Sequence, residues 1–290
     1  MKNDFPVYDI CKFSHTLEED IIITNLAVYL KSLKKLHFPH RHDFYHLMLF
    51  TQGEGGHSID FQHFLIKPYH FYFMAPGQVH SWNFEGDING YVINFSADFF
   101  KSFLLNDEYL EQFIFLGGNV NFSVIDLPEE IRAVVTQRID RAILEASVVH
   151  PFRLDSLRIM LLDLFILLAK LNKAIERPTM PENQARATLK KFEKLIEKKY
   201  QTMRLPKQYA EQLFISPGYL NSICQDVLGT SAGDMIRNRI ILEAKRMLIN
   251  LRLTVSEIAY HLNFTDNSHF CKFFKNQVGI SPNSFRKNAV

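Results

Sequence analysis

The chain has 290 residues, of which 47% are hydrophobic, so it has enough apolar material for two domains with separate cores. No uncharged apolar stretch reaches about 18 residues, which excludes an obvious membrane-spanning helix. The start, MKNDFPVYDICKF, lacks the apolar core of a signal peptide, and the three cysteines have no paired or metal-type spacing. We therefore expect a cytoplasmic protein with reduced thiols.

The net charge of +2 hides an uneven distribution of charged residues. From Asn183 onward the chain has 17 basic and 8 acidic side chains, whereas residues 1–182 have 16 basic and 23 acidic ones. The strongly basic second part favours a polyanionic partner. The predicted domains are 1–175 and 185–290, and the proline-containing segment 176–184 is the predicted linker.

Up to about Phe95 the sequence predicts β-structure. Short β-branched or aromatic runs such as IIITNLAVYL, FYHLMLF and GYVINF alternate with turn material such as TQGEGG and APGQ. Many short strands at this spacing favour a sandwich or a barrel. Of the 26 Phe residues, 17 lie in the first 122 positions, a number that would fit a cavity lined by aromatic rings.

Histidines are concentrated in the same region, with nine of the twelve in residues 1–80. The stretches PHRHDFYHLMLFTQGEG and MAPGQVHSWNF resemble the two halves of a cupin barrel. The resemblance implies an interior pocket, and the candidate effector-pocket residues are His40, His42, His46, His80 and Trp82.

The same resemblance leaves two further interpretations of these histidines open. In metal-binding cupins, two histidines and a carboxylate of the first motif join a histidine of the second around one metal. Here His46 stands at the carboxylate position, and His40, His42, His46 and His80 would be the metal ligands. Alternatively, the histidines only satisfy strand ends and turns, as we expect for His57, His63 and His70 at strand edges. Our prediction is that the protein has no metal and no cofactor.

From Ala97 to about Lys173 the periodicity becomes helical. PEEIRAVVTQRIDRAILEAS begins with the proline and acidic residues typical of a first helical turn. RLDSLRIMLLDLFILLAKL is apolar on more than one face. This helix either packs against both its own barrel and a second copy of the chain, or is buried entirely within its own domain. We expect helices between Asp126 and Leu171 to form the dimerisation segment.

The basic part contains one helical unit twice. Ala210 matches Ala259 at an offset of 49, and Gly229 matches Gly279 at an offset of 50. The second copy therefore has one extra residue in its turn. Each copy has the pattern of a helix-turn-helix, a unit whose second helix enters the major groove of DNA.

Local signals mark the helix starts in both copies. Ser216 followed by a proline is a predicted N-cap, and Asp266 or Thr265 takes that role in the second copy. TVSE at 254–257 predicts a capping box. The helix predicted between the copies, Ser231–Asn250, would be about 27–30 Å long, close to the ~34 Å between successive major-groove faces.

A longer motif pattern extends over about 80 residues of the basic part. It comprises A..L.IS..YL in the first copy, R...EAKRML in the linking helix and EIA..L.F.D.SHF.KFFK...GISP..FRK in the second copy. The segment Ala210–Arg286 thus resembles the DNA-binding domain of the AraC/XylS family of transcription regulators. The resemblance implies an α+β chain of two domains. A cupin-like β-barrel with a helical dimerisation segment would precede an all-α domain of two helix-turn-helix units joined by a long helix.

The resemblance also implies roles for individual side chains. The reading helices would be Pro217–Gln225 and Asn267–Lys275. The residues expected to face bases are Gly218, Asn221, Ser222, Asn267, Ser268, Cys271 and Lys272. The residues expected at phosphates are Gln225, Lys275, Arg286 and Lys287.

The first copy departs from the family pattern. Ser222 stands where Arg is common and Gln225 where Lys is usual, so we expect the second copy to supply more of the affinity. Asn263 replaces a glycine at the second turn, where asparagine tolerates left-handed backbone. Arg239 on the linking helix is expected to form structural ion pairs.

We therefore predict a sequence-specific transcription regulator rather than an enzyme. Its expected partners are double-stranded promoter DNA, an unidentified small-molecule effector, a second copy of the chain and RNA polymerase, with no membrane. One alternative is a metal-binding cupin enzyme with a DNA-binding appendage. Another is a constitutive DNA-binding protein whose barrel only dimerises, which a barrel interior filled with side chains would favour.

Overall fold

The computed structural model describes residues 7–8, 20–32, 39–106, 108–171 and 184–289. These form two compact units, one before and one after residues 172–183. The first unit combines a β-sheet with helices and the second is helical, so the predicted α+β class is confirmed. The predicted linker, 176–184, lies outside the described residues apart from Gln184, and the domain limits remain a prediction. In the described part of the chain, no helix has the length and hydrophobicity needed to span a bilayer.

Eight strands form the sheet of the first unit. They are β1 (Val7–Tyr8), β2 (Ile21–Asn25), β3 (His40–His42), β4 (Tyr45–Ile59), β5 (Gln62–Ile66), β6 (His70–Met74), β7 (Val79–Phe95) and β8 (Val124–Asp126). Their order is β1-β3-β7-β4-β6-β8, with β2 also paired to β7 and β5 to β4. The β1–β3 pair is parallel, and the other pairs in the described chain are antiparallel.

The two long strands β4 and β7 bend together near the middle of their pairing. The register shifts just after Phe50, which lies opposite Gly90. Gly90 has a φ of +152°, and a Cβ atom there would lie 2.0 Å from the carbonyl oxygen of Leu49. Only glycine permits this close approach of the two backbones, which allows the sheet to curl.

Successive residues of β4 lie in two different hydrophobic cores because strand side chains alternate between the two faces of the sheet. Leu47 and Leu49 pack in the core that includes the helices, whereas Met48 and Phe50 belong to a second cluster inside the barrel. This barrel core consists of the buried side chains Leu26, Tyr29, Met48, Phe50, Ile59, Ile66, Tyr72, Met74, Trp82 and Val92. The part of the interior that they occupy is filled by the protein itself.

The segment IIITNLAVYL, predicted as one strand, divides into β2 and the helix α1 (Leu26–Ser32). Leu26 and Tyr29, three residues apart, are both buried in the barrel core. A helical turn places residues at this spacing on one face, whereas a strand would place them on opposite faces. Tertiary packing thus decides the change from strand to helix.

The helical region begins later than predicted. Residues 97–127 contain β8 and three short 3-10 turns, Tyr109–Gln112, Ile114–Leu116 and Val120–Phe122, rather than long helices. The buried rings of Phe113 and Phe115 in this segment pack against Phe165 of the following helical region. Irregular backbone lets both rings enter the same core although they are only two residues apart.

Two long helices, α2 (Glu129–Ser147) and α3 (Arg153–Leu171), are joined by a short loop and pack in the same core. The buried side chains of α3 are Leu157, Leu161, Leu164, Phe165 and Leu168. On its other side Ile159 is 57% exposed and Ile166 is 38% exposed. The interpretation that α3 is buried entirely within its own domain is therefore wrong.

Seven helices form the described part of the second unit. They are α4 (Gln184–Lys199), α5 (Pro206–Gln212), α6 (Pro217–Leu228), α7 (Ala232–Leu248), α8 (Val255–His261), α9 (Asn267–Val278) and α10 (Pro282–Ala289). One hydrophobic core connects them, and α7 contributes Ala232, Ile236, Ile240 and Ala244, each four residues after the last. This spacing gives α7 a buried stripe along its length.

Candidate nucleic-acid interface and buried histidine cluster

The second unit contains the predicted duplication as two helix-turn-helix copies. The first copy is α5–α6 and the second is α8–α9. The Ser216 hydroxyl accepts a hydrogen bond from the Tyr219 N–H, and the Asp266 carboxylate accepts one from the His269 N–H, so both predicted N-caps are confirmed. The capping box starting at Thr254 is confirmed as well. Both second helices end at a glycine in left-handed conformation.

The turns of the two copies use the same backbone conformation. Asn263 has a φ of +57°, as expected for a residue that replaces glycine there, and Phe214, 49 positions earlier, has a φ of +56°. The Phe214 side chain is 95% exposed. A bulky residue in left-handed backbone is strained, and here no packing compensates for the strain.

The outer face of α9 presents most of the residues predicted to read bases. Asn267, Ser268 and Lys272 are exposed, and Cys271 is half-buried, with its thiol 3.4 Å from the amide oxygen of Asn267. Phe270 and Phe274 of the same helix are buried in the core. Because the outward and inward residues alternate with the helical period, the core contacts of α9 fix which residues face solvent.

The predicted reading residues of α6 are also exposed, but they have local partners. Gly218, Asn221, Ser222 and Gln225 lie on the solvent side of α6. The Asn221 amide oxygen accepts a hydrogen bond from the Ala232 N–H at 3.2 Å, at the start of α7. The geometry therefore favours a structural role for Asn221 over the base contact that the sequence predicted.

Ser222 contacts an acidic residue that the sequence reasoning did not consider. Its hydroxyl donates to the Asp226 carboxylate at 3.1 Å, one turn further along α6. An anionic side chain on this face opposes an approaching phosphate backbone. Asp226 follows Ser222 by four residues in the sequence, so helical periodicity alone could have identified it.

The predicted phosphate contacts fall into two groups. Lys275 and Lys287 are exposed, as a phosphate contact requires. The Arg286 guanidinium instead donates to the carbonyl oxygens of Leu248 at 2.9 Å and Leu253 at 2.7 Å. These hydrogen bonds satisfy backbone at and after the end of α7, so the structure favours a supporting role for Arg286.

Arg239 forms the structural ion pairs predicted for it. Its guanidinium lies 2.8 Å from a carboxylate oxygen of Glu197 and 3.0 Å from one of Glu243. The Tyr200 ring covers it at 4.0 Å from the ring centroid. Arg239 thereby connects α4 to α7, and the prediction is confirmed.

The first unit brings together all five predicted effector-pocket residues. His40 and His42 come from β3, His46 from β4, and His80 and Trp82 from β7. The ring centroids of His40 and His80 are 4.3 Å apart, and those of His80 and Trp82 are 4.7 Å apart. All five side chains are buried.

His57 belongs to the same cluster, so its predicted place at a strand edge without a special role is wrong. It is 1% exposed, and its Nε2 atom lies 3.2 Å from the Nδ1 atom of His80. It stands two residues before the buried Ile59 on β4, and the strand period of two could have indicated its inward direction. We call the rings of His40, His42, His46, His57 and His80 the histidine cluster.

Side-chain hydrogen bonds orient three rings of the cluster, those of His42, His80 and His46. The Nε2 atoms of His42 and His80 lie 2.8 Å apart. The Nδ1 atom of His46 donates to the amide oxygen of Asn94 at 2.5 Å, which leaves the lone pair of His46 on Nε2. That Nε2 atom is buried and has no hydrogen-bond partner among the described residues.

Burial keeps four rings of the histidine cluster, those of His42, His46, His57 and His80, uncharged. Desolvation lowers the pKa of His46 and of His57 to about 3. It also holds the pKa of His42 and of His80 well below the ordinary value of 6.5. Neighbouring imidazoles reinforce the effect, since a charge on one ring disfavours a charge on the next. Neutral imidazole is the form that accepts hydrogen bonds and binds metal ions.

Two family models match this chain. The model described as an AraC-like ligand binding domain matches residues 28–161, and the one described as a helix-turn-helix domain matches residues 209–288. The chain therefore combines the ligand-binding and helix-turn-helix domains of an AraC-type regulator. The first match covers the histidine cluster and α2, and the second covers both helix-turn-helix copies.

The curated relatives match this chain over only part of their own length. The Msm operon regulatory protein of Streptococcus mutans is 28% identical over 131 residues, which is 44% of this chain and 47% of that protein. The HTH-type transcriptional regulator YijO of Escherichia coli is 24% identical over 105 residues, 36% of this chain and 37% of that protein. The chain thus spans less than half the length of these relatives.

A structural similarity extends over more of the chain. ToxT from Vibrio cholerae is matched over 92% of this chain and 98% of that chain, with 12% identity and a TM-score of 0.47.

Replacing the strained residue of the first turn should stabilise the second unit. Because Phe214 is exposed and left-handed, Phe214→Asn should raise the free energy of unfolding by about 1 kcal/mol, measured by urea denaturation. The reverse change in the other copy, Asn263→Phe, is the matched control and should destabilise by a similar amount. A destabilising effect of Phe214→Asn would contradict the strain argument.

The histidine cluster should make the stability of the first unit depend on pH. Between pH 6.5 and about 3 an unfolded histidine is protonated while the native His57 is not, so the free energy of unfolding falls as the pH falls. Each such histidine contributes at most about 1.4 kcal/mol per pH unit to this fall in the free energy of unfolding. We expect His57→Gln to reduce this slope, measured by denaturation between pH 7 and 4.5 in buffer with a chelator.

A control variant separates this effect from a general loss of stability. Ile66 is a buried side chain of the barrel core and does not titrate. Ile66→Val should lower the free energy of unfolding by about 1 kcal/mol and leave its pH dependence unchanged. Equal slopes for the wild type and His57→Gln would show that burial of His57 does not control the effect.

Proposed function

We propose that the protein is a transcription regulator that binds double-stranded promoter DNA through both helix-turn-helix copies. The observation that carries this proposal is the pair of exposed second helices, α6 and α9, joined through one core to the central helix α7. α7 has 17 residues and is therefore about 26 Å long, a length that suits two probes in successive segments of the major groove. The matches to a ligand-binding and a helix-turn-helix family model support the same function.

The second copy supplies the base readout in this proposal. α9 presents Asn267, which can pair with adenine through two hydrogen bonds, and Lys272, which can donate to guanine. Lys275 lies one turn further on and suits a phosphate oxygen. In the first copy, by contrast, Asn221 is engaged with α7 and Ser222 with Asp226.

Two lysines of α9 provide the sharpest test. On a duplex selected by the wild-type protein from a randomised pool, Lys272→Ala should weaken binding by about 1–3 kcal/mol and relax preference at one base pair. Lys275→Ala should weaken binding to all sequences and reduce the slope of log affinity against log salt by about 1. Fluorescence anisotropy over a range of salt concentrations measures both effects.

Lys207 offers a matched control on the same unit. It is an exposed lysine on α5, 4.0 Å from the Glu211 carboxylate, and not on a reading helix. Lys207→Ala should therefore leave the preferred DNA sequence unchanged and lower the affinity for DNA only slightly. Identical behaviour of Lys272→Ala and Lys275→Ala would refute the division into base and phosphate contacts, and retention of full affinity by both would refute the DNA interface itself.

We infer further that the barrel responds to a small effector. The support is the match to a ligand-binding domain family, together with the polar centre formed by the histidine cluster. The barrel core beside this centre is filled by side chains such as Met48, Phe50 and Trp82. That packing agrees with the alternative of a barrel that only dimerises, so the effector role rests on the family match and the histidine cluster. An effector at this centre would be very small rather than bulky and ring-bearing.

Self-association through α3 completes the proposal. Ile159 and Ile166 lie seven residues apart, so they share one exposed stripe of the helix. Asp163, between them in sequence, pairs with Arg138 of α2 at 3.0 Å and gives the stripe a polar border. An exposed apolar stripe with a polar border is typical of a protein–protein interface.

Sedimentation velocity tests this dimer. Ile159→Lys should convert the protein to a monomer because it places a charge in the apolar stripe. Leu65→Lys is the matched control, since Leu65 is 70% exposed on β5 and lies outside α3. Dissociation by both variants, or by neither, would exclude α3 as the specific interface. Contact with RNA polymerase and location in the cytoplasm remain predictions.

A further inference from the structure

We propose that the histidine cluster binds one divalent transition-metal ion, with His40, His42 and His80 as ligands and His46 as the fourth. One ring nitrogen from each of the first three lies within 4.8 Å of the others. The rings belong to β3 and β7, which pair with His40 opposite His80. Adjacent strands of one sheet therefore hold the three side chains at this separation.

The spacing of His42 and His80 is the first argument for an ion. Their Nε2 atoms are 2.8 Å apart and share a hydrogen bond, so both nitrogens point to one place, where an ion could replace the shared proton. Nitrogens that bind one tetrahedral ion at about 2.0–2.1 Å are roughly 3.3–3.4 Å apart. Small side-chain rotations that move the Nε2 atoms of His42 and His80 apart by a few tenths of an ångström would reach that spacing.

His46 supplies the second, independent argument. Its ring is fully buried, with its centroid 4.8 Å from that of His42 and 5.2 Å from that of His80. Its Nδ1 atom donates to Asn94, and the opposite nitrogen, Nε2, is a buried acceptor without a partner among the described residues. A ligating histidine typically has its other ring nitrogen held by such a hydrogen bond. Asn94 therefore fixes the ring orientation of His46, as an outer-shell hydrogen-bond partner does for a metal ligand.

His57 takes the corresponding position behind His80. When the Nε2 atom of His80 binds an ion, its Nδ1 atom carries the proton and can donate to the Nε2 atom of His57, 3.2 Å away. Both neighbours, Asn94 and His57, are therefore placed to fix the ring orientation of a ligand. Four imidazoles without a carboxylate or thiolate suit zinc, copper, nickel or iron rather than magnesium or calcium.

The burial of the site argues for sensing rather than catalysis. The five rings of the cluster are each at most 3% exposed. A catalytic metal keeps one coordination position open to substrate, whereas a four-coordinate site closed by side chains stabilises structure. Ion binding would hold β3, β4 and β7 together, and a metal that favours one arrangement of the unit shifts the population toward it. The role of the ion as the effector rests on the proposed DNA-binding function, but ion binding itself does not.

Zinc binding to the full chain, purified without a histidine tag and stripped with a chelator, tests the site. Isothermal titration calorimetry should give one tightly bound Zn²⁺ per chain. His80→Gln should abolish this binding, and Asn94→Ala should weaken it by about 10- to 100-fold, as loss of an outer-shell partner does. His63→Gln is the control and should bind like the wild type, because His63 is exposed on β5, where it hydrogen-bonds to Ser58, and is not part of the histidine cluster. Equal affinity for the wild type and His80→Gln would overturn the site.

X-ray absorption of the zinc-loaded wild type keeps the test independent of whether the variants fold. The expected spectrum has four imidazole nitrogens at about 2.0–2.1 Å. A first shell of oxygen atoms without imidazole scattering would overturn the proposal.

A DNA-binding assay then separates the effector role from the site. The affinity of the wild type for its selected duplex should differ between zinc and chelator, and that of His80→Gln should not. Tight zinc binding without a change in DNA affinity would overturn the effector role and leave the site established. Absence of specific DNA binding under both conditions would overturn the proposed function without touching the metal site.

Discussion

The packing of α7 against both helix-turn-helix copies is the constraint on which the DNA-binding geometry depends. Ala232, Ile236 and Ile240 place a buried stripe along α7, and the helices of both copies pack in the same core. Hydrogen bonds fix its two ends: Asn221 accepts from the backbone at the start, and Arg286 donates to the carbonyl oxygen of Leu248 at the end. Because both copies pack against α7 in one core, with Asn221 of the first copy at its start and Arg286 of α10 at its end, α6 and α9 cannot change their spacing without breaking buried contacts.

The helix-turn-helix copies could be predicted because their signals are local. Ser216 and Asp266 cap helices within three residues of themselves, and Gly229 and Gly279 end helices through their own backbone conformation. Such features depend only on neighbouring residues, so sequence spacing identifies them. The roles of Asn221 and Arg286 could not be assigned this way, since their partners lie 11 and 38 residues away. A polar residue on a helix surface has the same sequence pattern whether it contacts DNA or a neighbouring helix.

The histidine cluster shows a similar division within one site. The cupin-like motifs correctly pointed to His40, His42, His46 and His80 as residues of one interior. They gave no indication of Asn94, which lies 48 residues after His46 and contacts it only because β4 pairs with β7. The register of that pairing, with its shifts after Phe50, cannot be read from a single sequence. The change from β2 to α1 has the same cause, since burial of Leu26 and Tyr29 in the barrel overrides the β-like composition of the segment.

Charge and local pairing together make the two copies unequal. In the first copy the residue that corresponds to Lys272 is Ser222, and its hydroxyl donates a hydrogen bond to the anionic Asp226. In the second copy the corresponding face has the exposed cations Lys272 and Lys275. Long-range attraction to phosphate falls off within about 8–10 Å at physiological salt, so a cation acts mainly on the groove next to its own helix. In the DNA complex that we propose, the second copy therefore attracts the duplex more strongly, and the connection through α7 holds the first copy near the adjacent groove.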